Sequence, residues 1–236
     1  MRLLLLLFAC VVANAQVPTR KEIIRSIMAG DSALGKVSLS EVVEATTGHK
    51  TLSFDTKTDA VAQRTLAAVT NALRTVLSRA NSPTSPLGRV SRINETSRFF
   101  EDGLREVLNA TPGFQCTIPR TKQGKEMRSG YPDLRLVHLE TGRVTYLDPK
   151  VYAADSEGSS FRTFYFEPSE GTGKINDDAH HLILGIAHDG KGKPWHFIGW
   201  KVVDVSTLKL QLKAEFNASN RDVYEPGAVR AKQERP

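Results

Sequence analysis

Asp133, Asp148 and Lys150 are the side chains whose types and spacing offer chemistry. They sit in two apolar segments, Tyr131-Pro132-Asp133-Leu134-Arg135-Leu136 and Val144-Thr145-Tyr146-Leu147-Asp148-Pro149-Lys150-Val151-Tyr152, bounded by Gly130, Thr141-Gly142 and the polar run 155–160. That punctuation predicts two neighbouring strands of a hairpin. Alternation along the second strand places Tyr146, Asp148, Lys150 and Tyr152 on one side, and Leu147, Pro149 and Val151 on the other. Asp133 begins the partner strand, so folding the hairpin can bring its carboxylate close to that of Asp148. Two carboxylates and an ammonium then converge. Hard oxygen ligands of this kind suit Mg²⁺, or Mn²⁺ in its place, completed by substrate phosphate oxygens and water. A lysine beside such an ion can hold an attacking water and offset charge building on a phosphate. The plainer reading is a charged hairpin with a solvent-facing ion pair, which contributes little to stability.

The pattern Pro132-Asp133, fourteen intervening residues, then Asp148-Pro149-Lys150 resembles the restriction-endonuclease-like nucleases, the PD-(D/E)XK superfamily. The resemblance covers roughly residues 94–206. It implies an α/β fold, a restriction-endonuclease-like mixed β-sheet core flanked by helices, preceded here by a helical N-terminal region. It also implies a metal-dependent phosphodiesterase with Asp133 and Asp148 as metal ligands and Lys150 as base or water-positioning group. In that superfamily a glutamate on the helix before the first strand often completes the acidic cluster. Among Glu95, Glu101 and Glu106, Glu101 borders the buried stripe three and seven residues before Leu104 and Leu108, and is the choice by face, with Glu95 second.

The elements that must position these groups follow from periodicity. Residues 60–80 form a long helix with Val61, Leu66, Val69, Leu73, Val76 and Leu77 along one stripe, after shorter helices near 23–28 and 38–45. The segment Asn81-Ser82-Pro83-Thr84-Ser85-Pro86-Leu87-Gly88 breaks the pattern and reads as a boundary. A helix from 94 or 95 to 109 ends at Pro112-Gly113, and residues 114–118 give a strand. Residues 161–166, 181–187, 195–205 and 208–216 read as further strands. The implied organisation is a leader over 1–15, a helical region over 16–91, the nuclease-like domain over 92–225 and a polar tail over 226–236.

Arg120, Lys122, Lys125 and Arg128 crowd a glycine-containing loop just before Asp133, and Arg162 follows Lys150. Cations on a loop that enters a metal site can contact nucleic-acid phosphates without reading sequence. A net charge of +6 agrees with a polyanionic partner, DNA being favoured over RNA. The chain opens Met1-Arg2, runs apolar over 3–13 and reaches Ala13-Asn14-Ala15, the pattern of a secretory leader too short to span a bilayer. That predicts a periplasmic or secreted product with no membrane anchor. Two rivals stand beside the nuclease: a nuclease fold reused as a non-catalytic nucleic-acid-binding module, and a GDSL-like serine esterase. The esterase reading rests on Gly30-Asp31-Ser32-Ala33-Leu34 and Asp177-Asp178-Ala179-His180. It needs Ser32 at the end of a strand, whereas 23–29 has helical spacing that turns at Gly30. Neither zinc spacing, a phosphate-binding loop nor a dinucleotide fingerprint is present.

Overall fold

A computed structural model of the chain describes residues 18–160, 164–169, 171–213, 218–225, 227 and 229–231. In chain order the elements are α1 (Arg20–Leu34), β1 (Lys36–Ser38), α2 (Leu39–Thr47), β2 (Thr51–Leu52), α3 (Ala60–Ala80), α4 (Ser97–Asn109), β3 (Phe114–Thr117), β4 (Leu134–His138), β5 (Val144–Ala153), β6 (Ala179–His188), β7 (Phe197–Asp204), β8 (Lys209–Gln211) and α5 (Asn220–Val223). The chain divides into two compact units. One takes the described parts of Met1–Lys36 and Gln211–Pro236, and the other is Val37–Leu210.

The first unit contains α1 and the one-turn α5. Helix α1 starts where Thr19 and Glu22 cap each other: Glu22 N–H donates to Thr19 Oγ1 at 3.3 Å, and Thr19 N–H to Glu22 Oε2 at 2.7 Å. Reciprocal capping of this kind satisfies two amides that have no partner in the first turn. Gly30-Asp31-Ser32, expected to cap and end this helix, instead lies inside it.

In the second unit the sheet order is β2-β6-β5-β4-β3, with β7 also on β6. β3, β4 and β5 run antiparallel in turn, β5 and β6 are parallel, and β7 returns antiparallel to β6. The sheet is therefore mixed, as expected. Helices α3 and α4 cover one face: Val69, Leu73 and Val76 meet Phe100, Leu104 and Leu108, above Leu134, Leu136, Leu147, Leu182 and Leu184. The two helices approach closely at Gly103, where a Cβ would stand 3.0 Å from Val76 Cγ1. On the other face Leu39 and Val43 of α2 pack with Val144, Tyr146, Ile175 and Ala179. β5 is thus covered on both sides, which explains its nearly continuous apolar sequence. Its Lys150 lies directly beside Gly185 of β6, where a side chain would press on the Tyr152 ring.

Several boundaries differ from those read in the sequence. Helix α3 belongs to the same core as α4 and the sheet, so residues 81–88 are a connection within one unit and not a junction between domains. Asn81 even fastens that connection to β7, donating to Phe197 O at 2.7 Å and accepting from Phe197 N–H at 2.9 Å. Turn residues show that regular structure stops, but not whether the flanking elements share a core. A 3₁₀ turn at Ile93–Thr96 precedes α4, which begins later than expected. Tyr131-Pro132-Asp133 lies before β4 and not within it, and Phe164 to Phe166 are irregular, with 161–163 outside the described residues. In the 208–216 segment, of which 214–216 lie outside the described residues, the strand among the described residues is the three-residue β8. No described helix is long and apolar enough to cross a membrane.

Candidate active site

The antiparallel register pairs Leu134 with Leu147, so the next step outward sets Asp133 beside Asp148 at the end of the β4–β5 ladder. Lys150 reaches both: its Nζ stands 2.6 Å from Asp148 Oδ2 and 3.8 Å from Asp133 Oδ2. Asp148 is 1% exposed, and Lys150 is the one close partner of its oxygens among the described residues; no backbone amide donates to them. Buried carboxylate oxygens normally find donors. Burial drives the Asp133 carboxyl far above the ordinary carboxylate range, and the Asp148 charge adds to this against the pull of Lys150. Two acids forced together beside one cation describe a site that lacks positive charge.

Asp133 and Lys150 line a cavity of about 320 Å³ with Ile93, Asn94, Ser97, Glu101, Pro149 and Val151. Glu101 of α4 therefore faces the same space as Asp133 and Lys150, while Asp148 is buried behind them and does not line it. Burial raises its pKa, opposed chiefly by Arg128. Among the described residues no three His, Cys, Asp or Glu side chains are already gathered as a metal cage. A two-carboxylate site is what Mg²⁺ asks of a protein, since its other positions go to water and phosphate. The donor chemistry fits that demand: Asp133 lines the open cavity, and the buried Asp148 behind it has only Lys150 as a close partner. A larger groove of about 650 Å³ between α3, Pro86–Arg89 and α4 contains neither aspartate.

The basic loop is split in its roles. Arg128 is half-buried and turned inward, bridging Glu101 at 3.4 Å and Asp102 at 2.7 Å. It fastens the loop to α4 and is not offered to a ligand, contrary to the expectation of a phosphate contact. Arg120 is exposed and pairs with Glu126 at 3.6 Å across a small turn. Lys122 and Lys125 on that turn are exposed to solvent. Arg162 lies outside the described residues.

The family model for the type II restriction enzyme MjaV family matches residues 33–227. The chain belongs to the MjaV family of type II restriction enzymes. It is also 33% identical over 219 residues to the type II restriction enzyme MjaV of Methanocaldococcus jannaschii, an alignment covering 89% of this chain and 93% of that protein. These matches agree with the resemblance of the Asp133, Asp148 and Lys150 pattern to the restriction-endonuclease-like nucleases. The family match contains the whole of the Val37–Leu210 unit and with it every residue of the cavity.

In this MjaV-family fold the groups behind the esterase reading have structural work. Asp177 accepts from Arg135 Nε and Nη2 at 2.8 and 2.7 Å and from the Tyr146 hydroxyl at 2.7 Å. His180 Nδ1 lies 3.2 Å from Leu52 O, and His181 Nδ1 lies 2.7 Å from the buried Tyr131 hydroxyl. Burial pulls the His181 pKa down to about 4, so the ring is neutral at physiological pH.

Sequence reasoning passed over Asn94 and Ser97 as cavity residues. Ser97 was findable, because it precedes Glu101 by four positions and so shares its helix face. Lys174, whose charge alone would admit a phosphate contact, is buried in the structure. Its ammonium donates to Met127 O at 3.1 Å and to Gly130 O at 2.6 Å. Burial lowers the Lys174 pKa, opposed by the negative charges of Asp133, Asp148 and Glu101.

Proposed function

We propose that this MjaV-family protein is a DNA endonuclease of the PD-(D/E)XK type that hydrolyses phosphodiester bonds with Mg²⁺, Mn²⁺ serving in its place. The observation that carries the reading is the Asp148 carboxylate: fully buried, with no close partner but the ammonium of Lys150, whose side chain is still 34% exposed at the cavity. A structural carboxylate is satisfied by its neighbours, whereas one kept short of donors is held ready for a ligand. Asp133 and Asp148 would hold the ion, with Glu101 as a further ligand or acting through water. When bound, the ion supplies a Lewis acid for the phosphate and makes an attacking water more acidic. Lys150 is held at its place by Asp148 and keeps its ammonium toward the cavity, where it can donate to a phosphate oxygen or orient that water. Lys122 and Lys125 supply charge for the DNA backbone, a contact that positions the duplex without reading it.

The decisive experiment incubates the protein with plasmid and single-stranded DNA in Mg²⁺, in Mn²⁺ and in EDTA, beside Asp148→Ala and Lys150→Ala. Cutting that needs the metal and disappears in both variants supports the reading. Retained DNA binding without cutting by any form would instead establish a binding module. The leader-like start is a separate proposal, that the product is exported and trimmed before Gln16; N-terminal sequencing of the protein from its own host tests it, and an intact Met1 rejects it.

A further inference from the structure

The connection from β5 to β6 carries no motif, yet it grips the loop before Asp133 at several points. Phe164 and Phe166 meet the Tyr131 ring edge-on, with centroids 5.0 and 5.8 Å away. Gly173 O accepts from Lys122 N–H at 3.1 Å, and Asn176 Nδ2 donates to Arg120 O at 2.7 Å. Between these two lies Lys174, only 2% exposed, whose ammonium holds the carbonyls of Met127 and Gly130. A buried ammonium is costly unless its donors are taken and its charge is answered. Here the loop takes the donors and the site's carboxylates answer the charge.

We infer that Lys174 is a positioning residue for cleavage: by hooking Met127 O and Gly130 O it seats the loop that ends at Asp133 and so sets where that carboxylate stands. The inference rests on the nuclease reading above. The two aspartates differ in how they are held. Asp148 is locked in β5, with β4 on one side and β6 on the other. Asp133 lies outside the ladder, three residues after Gly130, and depends on the loop for its place. Lys174 is not among the residues that line the cavity and is only 2% exposed, so it acts through Asp133. Misplacing a reacting group by about 1 Å is enough to cost about 100-fold in rate.

The test uses the full chain with Lys174→Met, which keeps the apolar stem and removes the donors, and Lys174→Gln, whose amide still offers two N–H groups. Amide hydrogen exchange is followed residue by residue without DNA, and single-turnover cleavage is measured at saturating DNA and Mg²⁺, with DNA affinity measured in Ca²⁺. Lys174→Met should lose exchange protection over 127–133 but not in α3, α4 or β6, and should cut about 100-fold more slowly, with DNA affinity within about threefold of the parent. Lys174→Gln should recover at least about tenfold of that rate. Unchanged exchange over 127–133, a loss of protection throughout the unit, or cleavage within threefold of the parent in Lys174→Met would each overturn the inference. A parent protein that fails to cut sinks the nuclease reading instead, and the exchange arm then decides alone whether Lys174 seats the loop.

Discussion

Beside strands β4 and β5 stand two clusters of acid and base built to opposite rules. In one, Asp177 receives two bonds from Arg135 and one from Tyr146, and these donors hold its carboxyl below the ordinary range. In the other, Asp133 and Asp148 share one lysine, Asp148 has no further donor, and Asp133 is pushed far up by burial and by its neighbour. Carboxylates beside the same two strands thus meet opposite surroundings, one a fastener and the other the candidate site. The difference lies in donors, because a buried carboxylate with its hydrogen bonds made stabilises the fold, and one without them keeps capacity for a ligand.

The sharpest way to break this contrast is to neutralise one member of each cluster. Asp148→Asn should lower the cleavage rate on the order of 10³-fold, while its thermal midpoint in metal-free buffer does not fall, since a buried charge without donors is removed. A midpoint several degrees lower would mean that Asp148 is a structural acid like Asp177. Asp177→Ala should do the reverse. Stranding Arg135 and Tyr146 should cost about 2–3 kcal/mol of stability, read by denaturant unfolding, with cleavage well below the midpoint within threefold of the parent. Loss of activity in a folded Asp177→Ala protein would place that cluster in the reaction.

The pH dependence of stability sharpens the contrast further, because the two shifts have opposite signs. Asp177 has a lowered folded pKa, so its contribution is present above the ordinary carboxylate range and fades as pH falls through the folded value. Asp133 has a raised folded pKa; between the ordinary carboxylate range and that value the folded state holds a proton the unfolded state has lost, so stability falls as pH rises. In metal-free buffer, unfolding of Asp133→Asn against the parent should therefore show an advantage that grows from pH 4 upward to neutrality. Asp177→Asn should show a deficit that shrinks toward acid. Curves of the same slope would erase the distinction. The smallest effects belong to the exposed turn: Lys122→Ala and Lys125→Ala should each weaken DNA binding a few-fold and reduce the salt dependence by about one counterion. Cleavage at saturating DNA should stay unchanged, and a salt dependence equal to the parent's would remove these lysines from the DNA surface.

What the sequence discloses here follows from the range of the interactions. Helix α3 is legible residue for residue, because its stripe and its Asp59 cap are local: Asp59 Oδ1 accepts from Val61 and Ala62 N–H at 2.8 and 3.2 Å. The β4–β5 hairpin is legible for the same reason, and its alternation puts Asp148 and Lys150 on one face, where the structure pairs them. Other features depend on partners distant in sequence. β2 is two residues long and exists by pairing with β6 far along the chain. Arg128 reads as a loop cation until α4 brings Glu101 and Asp102 to it. Lys174 reads as a phosphate ligand until the loop carbonyls close over it. Charge identifies candidates, but only tertiary packing decides which of them are already engaged.

Gly185 extends that point to the strand beside the motif. It has no side chain where Lys150 passes, and the Tyr152 ring lies 3.2 Å from the place a methyl would fill, with the Lys201 backbone behind. A methyl group added there presses on the Tyr152 ring, which sits on the same strand two residues beyond Lys150 and has to give by a few tenths of an ångström. A single carbon on a strand that holds neither acid nor lysine thus bears on the end of β5, so the room around Lys150 is set in part by what its neighbouring strand leaves out.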